Sequence, residues 1–199
     1  IRDKLVTGVQ TCALPILKFK IHLKKIHWLE SYGEEDNLDL CAHGKVCVTI
    51  NEDIIADNTD DPSDWWSLTA TALHLLRTLE MNHTNVNPVG DCLIPGEGHH
   101  IDHHKNDPIV HIETAYPIVV GRNWWVIHED NKVKLVTEPS NETIISFEDY
   151  KNEVLSFVDK VHDFYKASKP KTLPENEYDK EAYLKLWKEW EIRRNKYSK

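Results

Sequence analysis

From His99 to His104 the chain reads HHIDHH, four histidines and an aspartate in six residues. Neutral imidazoles and a carboxylate are ligands for zinc or a similar divalent ion, and a metal held there would activate water for hydrolysis. His99, His100, Asp102 and His104 are the candidate ligands. The default reading of so dense a tract is a solvated loop with incidental metal affinity. A second pairing is Cys41-Ala42-His43, where positions two apart share a strand face and bring a thiol near an imidazole. A structural, buried thiol is the favoured reading, with Cys47 expected to be equally buried at its alternating strand position. Asp57, Asp60, Asp61 and Asp64 suggest calcium, but the run lacks the glycine and the closing glutamate of an EF-hand loop. It reads instead as an acidic lead into a helix, whose dipole favours carboxylates there. Trp187 and Trp190 are the candidate partner-binding anchors. Docking of their helix onto the rest of the chain is the expectation preferred over a hot spot for a partner.

Asp102-His103-His104 resembles the tripeptide that names the DHH phosphoesterases. Gly98 to His103 is similar to the H-x-H-x-D-H signature of metallo-β-lactamase-like hydrolases, with Gly98 in place of the first histidine. Either resemblance implies metal-dependent hydrolysis. The phosphoesterases need further aspartate-bearing motifs on parallel strands, and the lactamase-like enzymes need downstream ligands on a larger sandwich. No G-x-S-x-G, Walker loop, G-x-G-x-x-G or H-E-x-x-H occurs in the chain.

The elements that position these residues follow from hydrophobic period. Leu17, Phe19, Ile21 and Leu23 alternate with polar residues, a half-buried strand. The phase slips at Lys24-Lys25 before Ile26 and Trp28, as a β-bulge would require. Ser31 to Asp39 is an acidic loop. Val46, Val48 and Ile50 alternate again, and Asn51-Glu52-Asp53 turns the chain into Ile54 to Ala56. Trp65, Leu68, Ala72, Leu75 and Leu79 predict a core helix over about 65–82, capped by Ser63 or Asp64. Residues 83–107 read as loop. Ile109 to Ile112 and Ile118 to Val120 are short strand candidates, and Trp124 to His128 with Lys132 to Val136 forms a hairpin. Ser146-Phe147-Glu148-Asp149 has capping-box form and opens a helix to about Ala167. After a proline-bounded linker, a last helix spans about 179–196, with Arg193, Arg194 and Lys196 at its cation-favouring end. Strands first, one inserted helix and two C-terminal helices make an α+β order: an antiparallel sheet of hairpins.

The 199 residues suit one domain, in which folding buries roughly 70% of the unfolded surface. Apolar residues are 40% and charged residues 29%, a globular balance. Seven tryptophans call for a large aromatic interior or interface. The net charge of −9 argues against nucleic acid as a ligand and reads first as a charge that keeps the chain in solution, while being compatible with a basic protein partner. No apolar run is long enough for a membrane span. The four cysteines lack paired metal-site spacing and read as reduced thiols of a cytoplasmic protein. The sequons at Asn82 and Asn141 therefore carry no role.

Val6 to Ile16 reads VTGVQTCALPI, which resembles the translation of a sequencing-adapter read-through. Residues 1–16, Cys12 among them, are expected to be a non-native segment, leaving 17–199 as a single α+β domain with 170–199 as a helical extension packed on it. From Cys41 onward, CAHGKVCVTI, LHLLRTLEMNHT with NPVGDCLIP, WWVIHED, and FEDYKNEVLSFVDKVHDFY through PKTLPENEYDKEAYLKLWKEW resemble a bacterial family of uncharacterised proteins. The resemblance spans most of 41–197 and thins between Gly96 and Asn123. Relatives carry a cysteine-rich turn after Leu-Ile-Pro, where Gly96-Glu97-Gly98-His99 stands here. The resemblance implies no activity and no cofactor. Size, acidity and element order are similar to those of immunity proteins of bacterial toxin systems, an analogy at the level of the fold. The expectation is a non-enzymatic protein-binding domain, an immunity-type inhibitor of a basic toxin. The alternative is a small metal-dependent hydrolase built on the His99–His104 tract.

Overall fold

Strand β1 (Phe19–His27) buries Phe19 and Ile21 and exposes His22 and Lys24, as the two-residue period requires. The computed structural model describes residues 18–31, 34–96, 99–114, 123–138 and 140–197, and of Ser31 and His99 only the backbone. The strand candidate Ile118 to Val120, together with Gly98 and Cys12, lies outside the described residues. Two-residue strands β2 (Glu30–Ser31) and β3 (Glu34–Glu35) pair across the acidic loop. Strand β4 (His43–Ile50) then runs antiparallel to β1, with a register shift between Leu23 and Lys25 where the apolar phase slips. Gly44 sits opposite that irregularity. A Cβ there would lie 2.3 Å from the Lys25 carbonyl oxygen and 2.4 Å from Leu68 Cδ1, so no other residue fits without displacing backbone.

Asn51 and Glu52, at φ of 51° and 75°, form the tight turn into β5 (Asp53–Asp57), the other edge of this sheet. The short strand β6 (Trp66–Ser67) pairs with the start of β4. Helix α1 (Leu68–Thr78) follows and is buried on every side. It is shorter than the expected 65–82. Its N-cap is Ser67, not Ser63 or Asp64, because Ser67 N–H bonds to the Pro95 carbonyl and Leu68 N–H to the Ala42 carbonyl, which holds the chain extended up to the cap.

The stretch expected as loop contains β7 (His99–His103), which pairs in register with β8 (Val110–Thr114). Residues 92–96 are irregular but buried, since α1 and neighbouring side chains supply partners: His74 Nδ1 meets the Cys92 carbonyl at 2.7 Å, and Leu93 N–H donates to Asn123 Oδ1 at 3.0 Å. A second sheet has the order β11-β10-β9, from β9 (Trp125–Glu129), β10 (Lys132–Thr137) and β11 (Asn141–Ser146). The Asn51 side-chain amide donates to Thr143 Oγ1 and ties the two sheets together.

Helix α2 (Phe147–Ala167) begins at the expected cap, with Asp149 N–H donating to Ser146 Oγ at 3.0 Å. It lays Tyr150, Val154, Phe157, Val158 and Val161 against the core. Its Glu153 accepts the Ile21 N–H and so occupies part of the outer edge of β1. Helix α3 (Glu177–Asn195) packs on β7, β8 and α1. The architecture is α+β, antiparallel sheets with one inserted and two C-terminal helices, and one apolar cluster runs from Phe19 to Trp190. Among the described residues no helix is long and apolar enough to cross a membrane.

Through this interior passes a charged clamp. Arg77 Nε and Nη2 donate to the two oxygens of Glu189 at 2.8 Å, while Nη1 reaches the Val89 carbonyl and Nη2 the Val110 carbonyl. Glu189 also accepts the Val110 N–H and Arg193 Nε. Burial alone would push the Glu189 carboxyl up; Arg77, the Val110 amide and Arg193 hold it below the usual range. Arg77→Met or Glu189→Leu alone should cost about 3–5 kcal/mol by urea denaturation, because each breaks the buried pair: the first leaves Glu189 only Arg193 as countercharge, and the second leaves Arg77 none. The double variant should cost less than the sum of the two.

His83 is fully buried, with Nδ1 accepting the Val89 N–H and Nε2 facing Asn123 Oδ1 at 2.9 Å. Burial lowers its pKa below the ordinary 6.5, so the folded state keeps it neutral where the unfolded chain takes up a proton. The stability this gives is complete above pH 6.5 and is lost as pH falls below it. His27 and His162 are shifted in the same direction, chiefly by burial. Unfolding free energy should therefore fall as pH drops below 6.5, each such group contributing at most about 1.4 kcal/mol per pH unit. In His83→Gln the slope should be shallower by up to one proton, read from denaturation curves below pH 6.5.

Candidate functional site

The Cys41 region is built where the chain enters β4. Asp39 organises it: Oδ2 accepts the Leu29 N–H at 2.7 Å, Oδ1 accepts the Cys41 N–H at 3.1 Å, and His43 Nε2 lies 3.3 Å from Oδ1. Although burial opposes ionisation, the His43 contact and the two amides hold the Asp39 carboxyl below its ordinary value. The Cys41 sulfur lies 2.9 Å from Ser67 Oγ and donates to the Ala42 carbonyl at 3.6 Å. Burial pushes this thiol up, against the weaker opposing pull of His43. Cys41 is thus a neutral, doubly held thiol, while the His43 imidazole is engaged with Asp39. Cys47 departs from the expectation of equal burial. It is only half-buried, because Val46 and Val48 take the inward face of β4 and leave it outward beside Asp57.

Thr69, on the first turn of α1, accepts the Ala42 N–H and meets the Tyr165 hydroxyl at 2.8 Å, and that hydroxyl donates to the Leu40 carbonyl. Beside this chain of bonds lies a cleft of about 240 Å3, with Cys41, Thr69, His100, Asp179 and Tyr183 among its lining residues. Burial raises the phenol pKa of both Tyr165 and Tyr183. Among the lining groups, burial thus keeps the Cys41 thiol and the Tyr183 phenol protonated, and neither is an activated nucleophile.

The histidine tract is a strand, which corrects the expectation of a solvated loop. Pairing of Ile101 with Ile112 and of His103 with Val110 gives β7 an apolar neighbour on β8 and a reason to extend. Successive residues then face opposite ways. Ile101 and His103 lie on the α3 side, where His103 stacks at 4.5 Å on Tyr178 and its Nε2 is 3.9 Å from Glu181 Oε2. His100 and Asp102 pair with Glu113 and His111 on the opposite, wetter face, two residues that nothing in the tract itself singled out. Asp102 Oδ1 accepts the N–H of His103, and the His104 carbonyl accepts the Lys185 ammonium at 2.5 Å. His99 contributes backbone to β7. Among the described residues no three His, Cys, Asp or Glu side chains group to hold a metal.

The tryptophans divide. Trp190 is fully buried and Trp187 half-buried, at 5.1 Å from each other, with Trp187 against Tyr165 at 4.5 Å. These contacts dock α3. Trp187 keeps an open edge, whereas Trp190 has no exposed surface and so does not fit the expected anchor role. The outward stripe of α3 is instead Leu184, Lys188 and Ile192, four residues apart.

The acidic run also differs from expectation. Helix α1 has no acidic residue in its first turn, so Asp57 to Asp64 does not cap it. The backbone carbonyls of Asp61 and Asp64 accept the Lys45 ammonium, and Asp64 Oδ2 accepts Trp66 Nε1–H at 2.9 Å. Lys45 and Lys25 both lie over the Trp65 ring, at 4.1 and 4.8 Å from its centre. Asp57, Asp60 and Asp61 face solvent.

Comparison of the chain with family models, curated proteins and solved structures finds no match.

Among the cysteines of the described residues, alkylation of the native protein followed by peptide mass mapping should label Cys47 first. Cys41 and Cys92 should react only at the rate of unfolding, since both are buried. Rapid native labelling of Cys41 would contradict the inert-thiol assignment.

Proposed function

We propose that this chain is a protein-binding domain with no covalent chemistry of its own, and that it receives a basic partner on the rim formed by β5 and the loop after it. The observation that carries this reading is the composition of that rim. Glu52, Asp53, Asp57, Asp60 and Asp61 all face solvent around Ile54, which is 65% exposed. Among the described residues, no strand pairs with the outer edge of β5. The carboxylates are set in place. Asp57 accepts the Thr59 N–H at 2.8 Å, and Asp61 accepts both the N–H and the hydroxyl of Ser63. The Ser63 bonds hold the Asp61 carboxyl below its ordinary range.

Charges on a sheet edge repel a second acidic copy of the same chain. They attract a basic surface for the same electrostatic reason, and Ile54 supplies a central apolar contact. The size and net charge of the chain fit an inhibitor that masks the basic active surface of a toxin, the immunity-type role. The neutral, buried Cys41 supports a binding role over a catalytic one.

A photo-crosslinking residue in place of Ile54, activated in lysate of the source organism, tests this. A discrete basic adduct is expected, lost in Asp53→Lys/Asp57→Lys and at about 1 M salt, where the screening length is about 3 Å. Adducts indifferent to both charge reversal and salt would overturn the reading.

A further inference from the structure

On a different face from β5, a groove of about 610 Å3 lies between the β7–β8 turn and the outward stripe of α3. Its apolar floor is Leu184 and Ile192, 49% and 51% exposed, with Pro108 on the opposite wall. From Leu184 to Ile192 the stripe runs about 12 Å along the helix, two turns of a facing helix. Lys105, Lys185 and Lys188 stand around it, a basic rim on a chain whose net charge is −9. Two carboxylates also line it. Asp107 is committed to the turn, where Oδ1 accepts the Ile109 N–H at 2.9 Å. Glu181 stands across from His103 at the groove's end, 67% exposed.

His103 gives a second, independent sign. Its side chain is only 9% exposed and lines the groove, yet Nε2 makes no hydrogen bond; the Glu181 carboxylate, at 3.9 Å, is beyond reach. A buried imidazole nitrogen without an acceptor costs free energy that a ligand oxygen would recover.

We infer that this groove binds an acidic segment of a partner protein. Two apolar side chains, spaced one helical turn or two apart, rest on Leu184 and Ile192. Carboxylates meet the lysine rim, and one of them accepts from His103 Nε2. This is helix-in-groove recognition with the charge sense opposite to that of the β5 rim, and it stands whether or not the β5 reading does.

A random peptide library of about twelve residues, matched to the groove's length, displayed against the folded full chain is the test. Enriched sequences should be net acidic with apolar residues four apart. An enriched peptide should lose about tenfold or more in affinity, by fluorescence anisotropy, against Leu184→Lys and against Lys188→Glu, and about as much with His103→Phe. The first two positions are exposed, so circular dichroism should show both variants folded. No enrichment, enrichment of basic sequences, or equal affinity for the Leu184 and Lys188 variants would overturn the inference. So would sedimentation showing a dimer that Leu184→Lys dissolves, since the face would then belong to a second copy.

Discussion

The Arg77–Glu189 clamp is the constraint on which the rest of the structure turns. Helix α1 has no wet face, so its one guanidinium has to be satisfied inside. Four acceptor atoms do this, two from Glu189 and two carbonyls from the segment after α1 and from β8. Taking the pair out of water costs several kcal/mol per ion, which only this full set of bonds offsets. The geometry also fixes the rotation of α3. With Glu189 directed at Arg77, Trp190 and Leu186 point into the core, and Leu184, Lys188 and Ile192 must point out. The groove on α3 is thus a corollary of a buried ion pair.

How far the sequence foretells this depends on whether a feature is local. The alternation in β1 and β4, the bulge at Lys24-Lys25, the turn at Asn51-Glu52 and the Ser146 cap are encoded within a few residues of themselves, and all are present. Strand β11 escapes because its two inward residues, Thr143 and Ile145, sit directly before a capping box that claims the same stretch for a helix start. The early portion of α1 is misjudged because Trp65 fits the helical period, whereas bonds to Pro95 and Ala42 hold Ser67 and Leu68 to distant backbone. Nothing near Arg77 in sequence announces Glu189. The one usable hint is negative: a helix reading LTATALHLLRT leaves an arginine with nowhere to meet water.

The residues that look most reactive serve structure first. Cys41 joins the chain before β4 to Ser67 at the start of α1, and Asp39 and His43 brace the same corner. Ile101 and His103 face α3 while His100 and Asp102 face away, a division that composition cannot reveal and that strand pairing enforces. At the surface, charge sign and apolar exposure change from one face to the next. A sum over the whole chain hides that polarity. The overall −9 conceals a lysine-edged groove as well as an aspartate-edged rim.

The wide separation of the clamp's two halves bears on how the chain is made. Arg77 and Glu189 are 112 residues apart. At ribosomal rates of about 5–20 residues per second, on the order of ten seconds pass between their syntheses. Throughout that interval the greasiest helix of the chain is in the cell with its countercharge not yet translated. The last helix, reached through a proline-bounded linker, completes the interior only once Glu189 has been made. Until then Arg77 lacks its buried acceptor, and a chain truncated ahead of Glu189 would lack it permanently.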